Sequence, residues 1–417
     1  MTKTVHIIGA GLAGLGAAVR LTTHGVRVAL HESAGHAGGR CRSFYDETLD
    51  RVIDNGNHLL LSGNFTVMEF LDAVGSRDSL IGPEEPAIPF IDLANGERWS
   101  VRPNAGRLPW WIFAPSRRVP GTSAGDYLAA LRLSRAGKND TVADCLNVSR
   151  PAYHHFWEPL TIAVLNAGIE EASANLLWPV MTEIFGKGAK ASRPLIAREG
   201  LSQSFIEPAL RLLDRAGATV RFNQRLREIE RDGDRVTALD LVRERVVLGP
   251  DDRVVLAIPP MPTMALLPEI KGPEATRAIV NAHFRLPRAM GEEGLPFLGL
   301  VGGTAHWLFL RRDIASITVS AADELAEKPN DEVAAILWKD TAKALALGDA
   351  PLPPWRIVKE KRATFAQIPS QVALRPSPRT QWRNLFLAGD WINTGLPASI
   401  EGTLRSGFSA ADLALAP

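Results

Sequence analysis

The residues with the clearest chemical purpose stand near the start of the chain, where Gly9-Ala10-Gly11-Leu12-Ala13-Gly14 has the G-x-G-x-x-G spacing and Glu32 follows. Each part suits the grip of a dinucleotide. Gly9 permits a tight turn, Gly11 lets the backbone approach a pyrophosphate, and Gly14 lets a helix pack closely on a strand. Free N–H groups at a helix start over Leu12 and Ala13 would meet phosphate oxygens, and Glu32 can accept hydrogen bonds from ribose hydroxyls. A second glycine pair with a cation, Gly38-Gly39-Arg40, comes soon after that acid, and Arg40 would bring charge to phosphates or to a ring edge. Far along the chain, Leu387-Ala388-Gly389-Asp390 ends an apolar run on a carboxylate.

These groups need elements to hold them. Thr4 to Ile8 reads as a buried strand, Leu15 to Thr23 as a helix with Gly25 at its end, and Val26 to Leu30 as a second strand ending beside Glu32. Leu201 to Ala216 reads as a helix, Ala218 to Phe222 as a strand with Leu226 to Ile229 as its neighbour, and Asp251 to Ile258 as a strand stopped by Pro259. Asn384 to Leu387 is a further strand, and Pro397-Ala398-Ser399-Ile400-Glu401-Gly402 opens a helix running to Leu415. Cofactor-binding pieces at both ends imply a discontinuous domain made of residues 1–79, 191–261 and 356–417. Residues 80–190 and 262–355 are left for the substrate.

At 417 residues, 46% apolar and 22% charged, the chain is long enough for two domains with buried cores. Its 47 basic and 46 acidic residues nearly cancel, so no overall field draws in nucleic acid. Cys41 and Cys145 lack the spacing of a disulfide framework or thiolate site, and His154-His155 lack that of a helical metal pair, so no metal is expected. Neither a signal peptide nor an apolar run of membrane-spanning length is visible, and a cytoplasmic setting follows as an expectation.

Gly38-Gly39-Arg40 resemble the second fingerprint of two-dinucleotide-binding flavoproteins, and the chain is similar to the flavin amine oxidase and phytoene desaturase superfamily. The likeness narrows at Gly38 to Ser43, Asp54-Asn55-Gly56-Asn57-His58, Phe156 to Leu160, Arg362 to Phe365, Leu387 to Trp391 and Pro397 to Gly402, where the chain resembles the hydroxysqualene dehydroxylases. The resemblance implies an α/β fold with a discontinuous Rossmann-like FAD-binding domain and an inserted α+β substrate domain. It also implies FAD as cofactor and a long-chain isoprenoid as substrate. In the resembled family Asp390 bonds a ribityl hydroxyl, the helix opening at Ser399 and Ile400 points its positive end at the flavin, and the backbone at Leu226 faces the adenine. An electron donor outside the chain would return the flavin to its reduced form.

For a proton donor the residues offer His58 and Asp54, in a loop expected to face the flavin, and Glu401 at the helix start. Structural alternatives stay open for each: an Asx-type turn for Asp54 and Asn55, next to Gly56, a satisfied core imidazole for His58, and helix-dipole compensation for Glu401. Tyr153 to Trp157 reads as a packed helical stretch. Leu108 to Pro115, with Trp110, Trp111 and Phe113 between Arg102, Arg107, Arg117 and Arg118, has the composition either of an anchor on the inner-membrane surface or of a buried wall. A carotenoid-type desaturase, an amine oxidase and a non-catalytic prenyl-lipid carrier are the competing functions.

Overall fold

Thr4–Ile8 is a strand whose Val5, Ile7 and Ile8 are apolar, and four of its five residues are buried. It forms the middle of a five-stranded sheet in which every pairing is parallel, in the order Thr219–Arg221, Arg27–His31, Thr4–Ile8, Arg253–Leu256, Leu385–Leu387. The computed structural model that shows this describes residues 3–106, 108–184, 186–290 and 296–416. Parallel neighbours need crossovers, and the Ala- and Leu-rich helix Leu12–Thr23 supplies the first, stopped by Gly25 at φ 74°. The helix Ile400–Leu415 lies against it. A Cβ on Gly407 would come within 2.3 Å of the Ala13 carbonyl oxygen, and one on Gly16 would meet Leu404, so two helices separated by nearly the whole chain touch backbone to backbone.

The second layer is a seven-stranded sheet in the order Trp355–Phe365, Thr276–Arg285, Ile314–Val319, Trp307–Arg311, Phe297–Val301, Ile88–Asp92, Arg98–Val101. Its one face is covered by the helix Asn330–Ala344 through Val333, Leu337 and Trp338, with Trp338 5.2 Å from the ring of Phe284. Because Trp355–Phe365 pairs antiparallel with Thr276–Arg285 along this sheet, residues 356–365 sit with the second sheet and not with the parallel one. The chain returns to the parallel sheet only after Phe365. Short helices and turns between Trp110 and Ser192 cap the end of this layer; Arg107, one of the arginines beside the tryptophan segment, lies outside the described residues.

Leu226 departs from the sequence expectation. Leu226–Asp232 does not join the strand before it but pairs antiparallel with Arg235–Leu241 across a two-residue Gly233-Asp234 turn, and Arg245–Val247 completes a three-stranded meander. Gly233 at φ 55° supplies the left-handed conformation such a hairpin needs. The expected helix Leu201 to Ala216 is present as one wide turn, Ser202–Ile206, running into Glu207–Arg215.

Candidate functional site

The two glycine turns that lie apart in sequence come together at the C-terminal edge of the parallel sheet. Gly9, at φ 103°, donates to the His31 carbonyl and could carry no side chain, since a Cβ would lie 2.5 Å from the Ala257 oxygen. A Cβ on Gly14 would lie 1.8 Å from the Gly9 oxygen, which is the close helix-on-strand packing the motif demands. Gly38 donates to the Ala10 carbonyl and bridges Gly11, and Gly39 stands over the Gly11 Cα. Gly11 itself caps the helix Leu12–Thr23, and a Cβ placed on it would meet nothing within 4 Å. Free space in front of unsatisfied helix N–H groups is the cradle a pyrophosphate requires.

Glu32 stands beside this cradle. One carboxylate oxygen accepts from the Ala10 N–H at 2.7 Å and the other from the Ala34 N–H at 2.8 Å, which fixes the group while leaving lone pairs for ribose hydroxyls. Gln224 donates its N–H to the Glu32 carbonyl, and its own buried side-chain oxygen has no partner among the described residues. Leu226, two residues on, is thus close to the acid despite belonging to a different sheet. Glu32→Ala should weaken FAD retention by about 1.5–3 kcal/mol, the worth of hydrogen bonds to a charged acceptor, or roughly 10- to 100-fold in Kd. Equilibrium dialysis of a folded variant showing wild-type affinity would take Glu32 out of the site.

Arg40 and Asp390 close the other end. Their side chains pair at 2.9 Å, and Arg40 also donates to the Ala363 carbonyl. The guanidinium is surrounded by protein, held above its ordinary range chiefly by Asp390, yet 42% of the side-chain surface is open. A group both deep and accessible lines an internal cleft. Gly389, at φ 147°, turns the chain so that Asp390 faces that cleft, and the N–H of Gly389 is tied to Ser406. Buried Arg375 donates to the carbonyls of Leu396 and Ile392, bracing the loop between Asp390 and the helix Ile400–Leu415, whose N-cap Ser399 accepts from the Gly402 N–H. The residues present therefore fit FAD: a phosphate cradle, a ribose acid, a cation, a ribityl acid and a helix N-terminus around one cleft.

The three proton-donor candidates fare differently. Glu401 is 3% exposed, and its oxygens accept from the N–H groups of Thr66 and Val67, the Thr66 hydroxyl and Arg405. It caps the start of the helix Phe65–Val74 and is turned away from the role of acid. Asp54, 2% exposed, is likewise fully engaged, accepting from the Ser43 hydroxyl at 2.6 Å, the Leu201 N–H at 2.9 Å and Arg311 at 2.9 Å. Its carboxylate anchors the start of the His58 loop to Ser43, Leu201 and Arg311. His58 makes no hydrogen bond to another described residue. Burial holds its imidazole below the ordinary histidine range, with Asp54 pulling the other way and Arg40 adding to the depression.

The loop carrying His58 is pinned by residues that sequence reading missed. Asn281 donates to the Asn55 carbonyl at 3.3 Å, Thr318 donates to the Asn281 side-chain oxygen at 2.8 Å, and Asn57 donates back to Thr318 at 3.1 Å. Gly56 sits over this circuit, where a Cβ would press on the Asn281 amide at 3.2 Å. Asn55 also donates to the Arg40 carbonyl. No local motif announces Asn281, Thr318 or Arg311, because each is an isolated polar residue between apolar neighbours or at a strand end. That polarity inside a buried strand was the available signal. His154 pairs with Glu158 and His155 approaches Asp92 at 3.8 Å, while Tyr153, Phe156 and Trp157 are buried in a ring cluster.

Known proteins align with this arrangement. The family model for flavin containing amine oxidoreductases matches residues 12–415. Hydroxysqualene dehydroxylase of Rhodopseudomonas palustris is 49% identical over the whole of this chain and 99% of its own length, and that of Sinorhizobium fredii is 46% identical over 100% and 99%. Cyclohexylamine oxidase of Brevibacterium oxydans superposes with a TM-score of 0.71 over 99% of each chain at 16% identity, a likeness of fold.

Proposed function

The chain belongs to the flavin containing amine oxidoreductases and, within them, to the hydroxysqualene dehydroxylases, and on that premise we propose that it reduces hydroxysqualene to squalene with FAD as its cofactor. The observation that carries the chemistry is the setting of His58. Its neighbour Leu59 packs, with Trp307, on an apolar cluster of Ile196, Phe297 and Phe309, while the imidazole lies within electrostatic reach of Asp54 and Arg40. A hydrocarbon with one hydroxyl needs such a wall and one proton donor.

The hydroxyl stands on an allylic carbon, so protonating the departing oxygen from His58 releases water and leaves a delocalised cation on the substrate. When bound and reduced, FAD supplies the hydride that completes the product. Arg40, Asp390 and the Ser399-capped helix hold the flavin, and the Asn281–Thr318–Asn57 circuit holds the His58 loop against it. One proton and one hydride enter, water leaves, and a donor outside the chain must reduce the flavin again.

Such a substrate dissolves in lipid, so the enzyme works as a peripheral protein at the cytoplasmic face of the inner membrane. Among the described residues no helix is long and apolar enough to cross a membrane. The test is one anaerobic turnover of the reduced protein in deuterium oxide, where the exchangeable flavin hydrogen becomes deuterium. Squalene should carry one deuterium at the carbon that bore the hydroxyl. Squalene without it would refute transfer from the flavin, and a new double bond or an aldehyde would mark a desaturase or an amine oxidase.

A further inference from the structure

The segment around Trp110 divides its large side chains between two environments. Trp111 and Ile112 are 4% and 3% exposed, whereas Leu108, Trp110 and Phe113 are 64%, 63% and 57% exposed. Trp111 packs on Tyr127 at 5.0 Å, which fixes the short turn on the protein, and Asn104 locks it further by accepting from the Trp111 N–H and donating to the Leu108 carbonyl. The buried half is a rigid base. The exposed half, with Trp110 and Phe113 rings 6.0 Å apart, is a presented apolar ridge that the protein leaves uncovered.

The ridge continues. Ala189 donates its N–H to the Asn104 carbonyl, and Gly188 lies so close that a Cβ there would come within 2.0 Å of the Gly106 oxygen. That contact brings in Lys187, whose ammonium stands 4.4 Å from the ring of Phe65, itself 51% exposed. Exposed cations border the ridge: Lys187, Lys190 and Arg193 on one side, Arg102 and Arg117 on the other. None of these five forms an ion pair with a carboxylate among the described residues. Two carboxylates near the lysine side in sequence are engaged elsewhere, Glu183 on Arg405 and Glu199 on Arg312.

From this the geometry points to Leu108, Trp110, Phe113 and Phe65 as the surface that enters an anionic lipid bilayer, with Lys187, Lys190 and Arg117 on its headgroups. The inference rests on the reading of the substrate as a membrane lipid and says where it enters. Amphipathic rings at the interface with uncompensated cations beside them match a negatively charged leaflet in both apolar and electrostatic terms. The surface is also near the chemistry. Phe65 is seven residues from His58, so even a fully extended chain separates them by at most roughly 25 Å, and the strand Leu60–Leu61 between them is held by pairing with Leu195 and Pro194.

Flotation with vesicles tests this without substrate. The FAD-loaded protein should bind vesicles of equal parts phosphatidylglycerol and phosphatidylcholine more tightly than pure phosphatidylcholine, and less tightly as salt is raised. Trp110→Ser with Phe113→Ser should lower partitioning about 10-fold or more, with the flavin spectrum and melting temperature unchanged because both side chains face solvent. Lys187→Glu with Lys190→Glu should remove only the preference for the anionic lipid. Equal binding by the aromatic variant, or no binding by the wild type, would overturn the assignment. A protein that ignores vesicles and forms a dimer broken by Trp110→Ser would overturn it in favour of a second copy. On detergent-dispersed hydroxysqualene the variants should turn over at the wild-type rate. A chain that binds vesicles yet forms no squalene would defeat the proposed reaction and leave the lipid surface standing.

Discussion

Replacing His58 by alanine is expected to slow reoxidation of the reduced enzyme by hydroxysqualene about 10²–10⁴-fold, the range for loss of a general acid, while FAD stays bound. Retention is expected because the groups proposed to hold the cofactor are the glycine turns, Glu32, Arg40 and Asp390, which the substitution leaves in place. The pH dependence has a definite sign. Burial sets the His58 pKa below its ordinary value of 6.5, so the protonated donor is the minor form at neutral pH and grows as pH falls. The single-turnover rate of the wild type should therefore climb from pH 8 down through that depressed pKa and then level off. His58→Ala should show no such rise. Stopped-flow measurement of flavin absorbance reads both effects, and a variant with wild-type rates at every pH would dismiss His58 as the acid without touching flavin transfer itself.

Glu401→Ala should cost stability instead of chemistry, by about 1–3 kcal/mol, the usual consequence of leaving buried donors without their acceptor. The loss would strand Arg405 on that side and leave the N–H groups of Thr66 and Val67 without an acceptor at the start of their helix. Thermal melting of the FAD-loaded protein should shift down strongly, whereas molecules still folded at low temperature should reoxidise at close to the wild-type rate. Glu401→Gln, which keeps the packing and one acceptor, should fall between. A Glu401→Ala protein that melts like the wild type but fails to turn over would return Glu401 to the list of acids.

These two residues mark where the sequence was legible. The parallel sheet, its first helix, the glycine turns and Glu32 could be read directly because their signals are local: a strand, a turn and a helix start within a few residues of one another. Glu401 and Asp54 could not be assigned, because what decides the role of a carboxylate is which donors reach it, and several of theirs, from Thr66, Val67 and Arg311, are hundreds of residues away. Leu226 is the opposite case, since the Gly233-Asp234 turn that makes its strand a hairpin is a local signal in the sequence. For Trp110 to Phe113, composition suited both burial and exposure. The structure divides the four side chains evenly, which no helical or strand period would show in so short a turn.

The contact of Gly407 with Ala13 has a consequence for how the protein is made. The helix that covers the first crossover is encoded hundreds of residues after it, so during synthesis the phosphate cradle waits with one side bare until that later helix has left the ribosome. At roughly 5–20 residues per second that delay is on the order of a minute or less. Over that interval the small-residue face of Ala13, Gly16 and Ala17 lacks its partner.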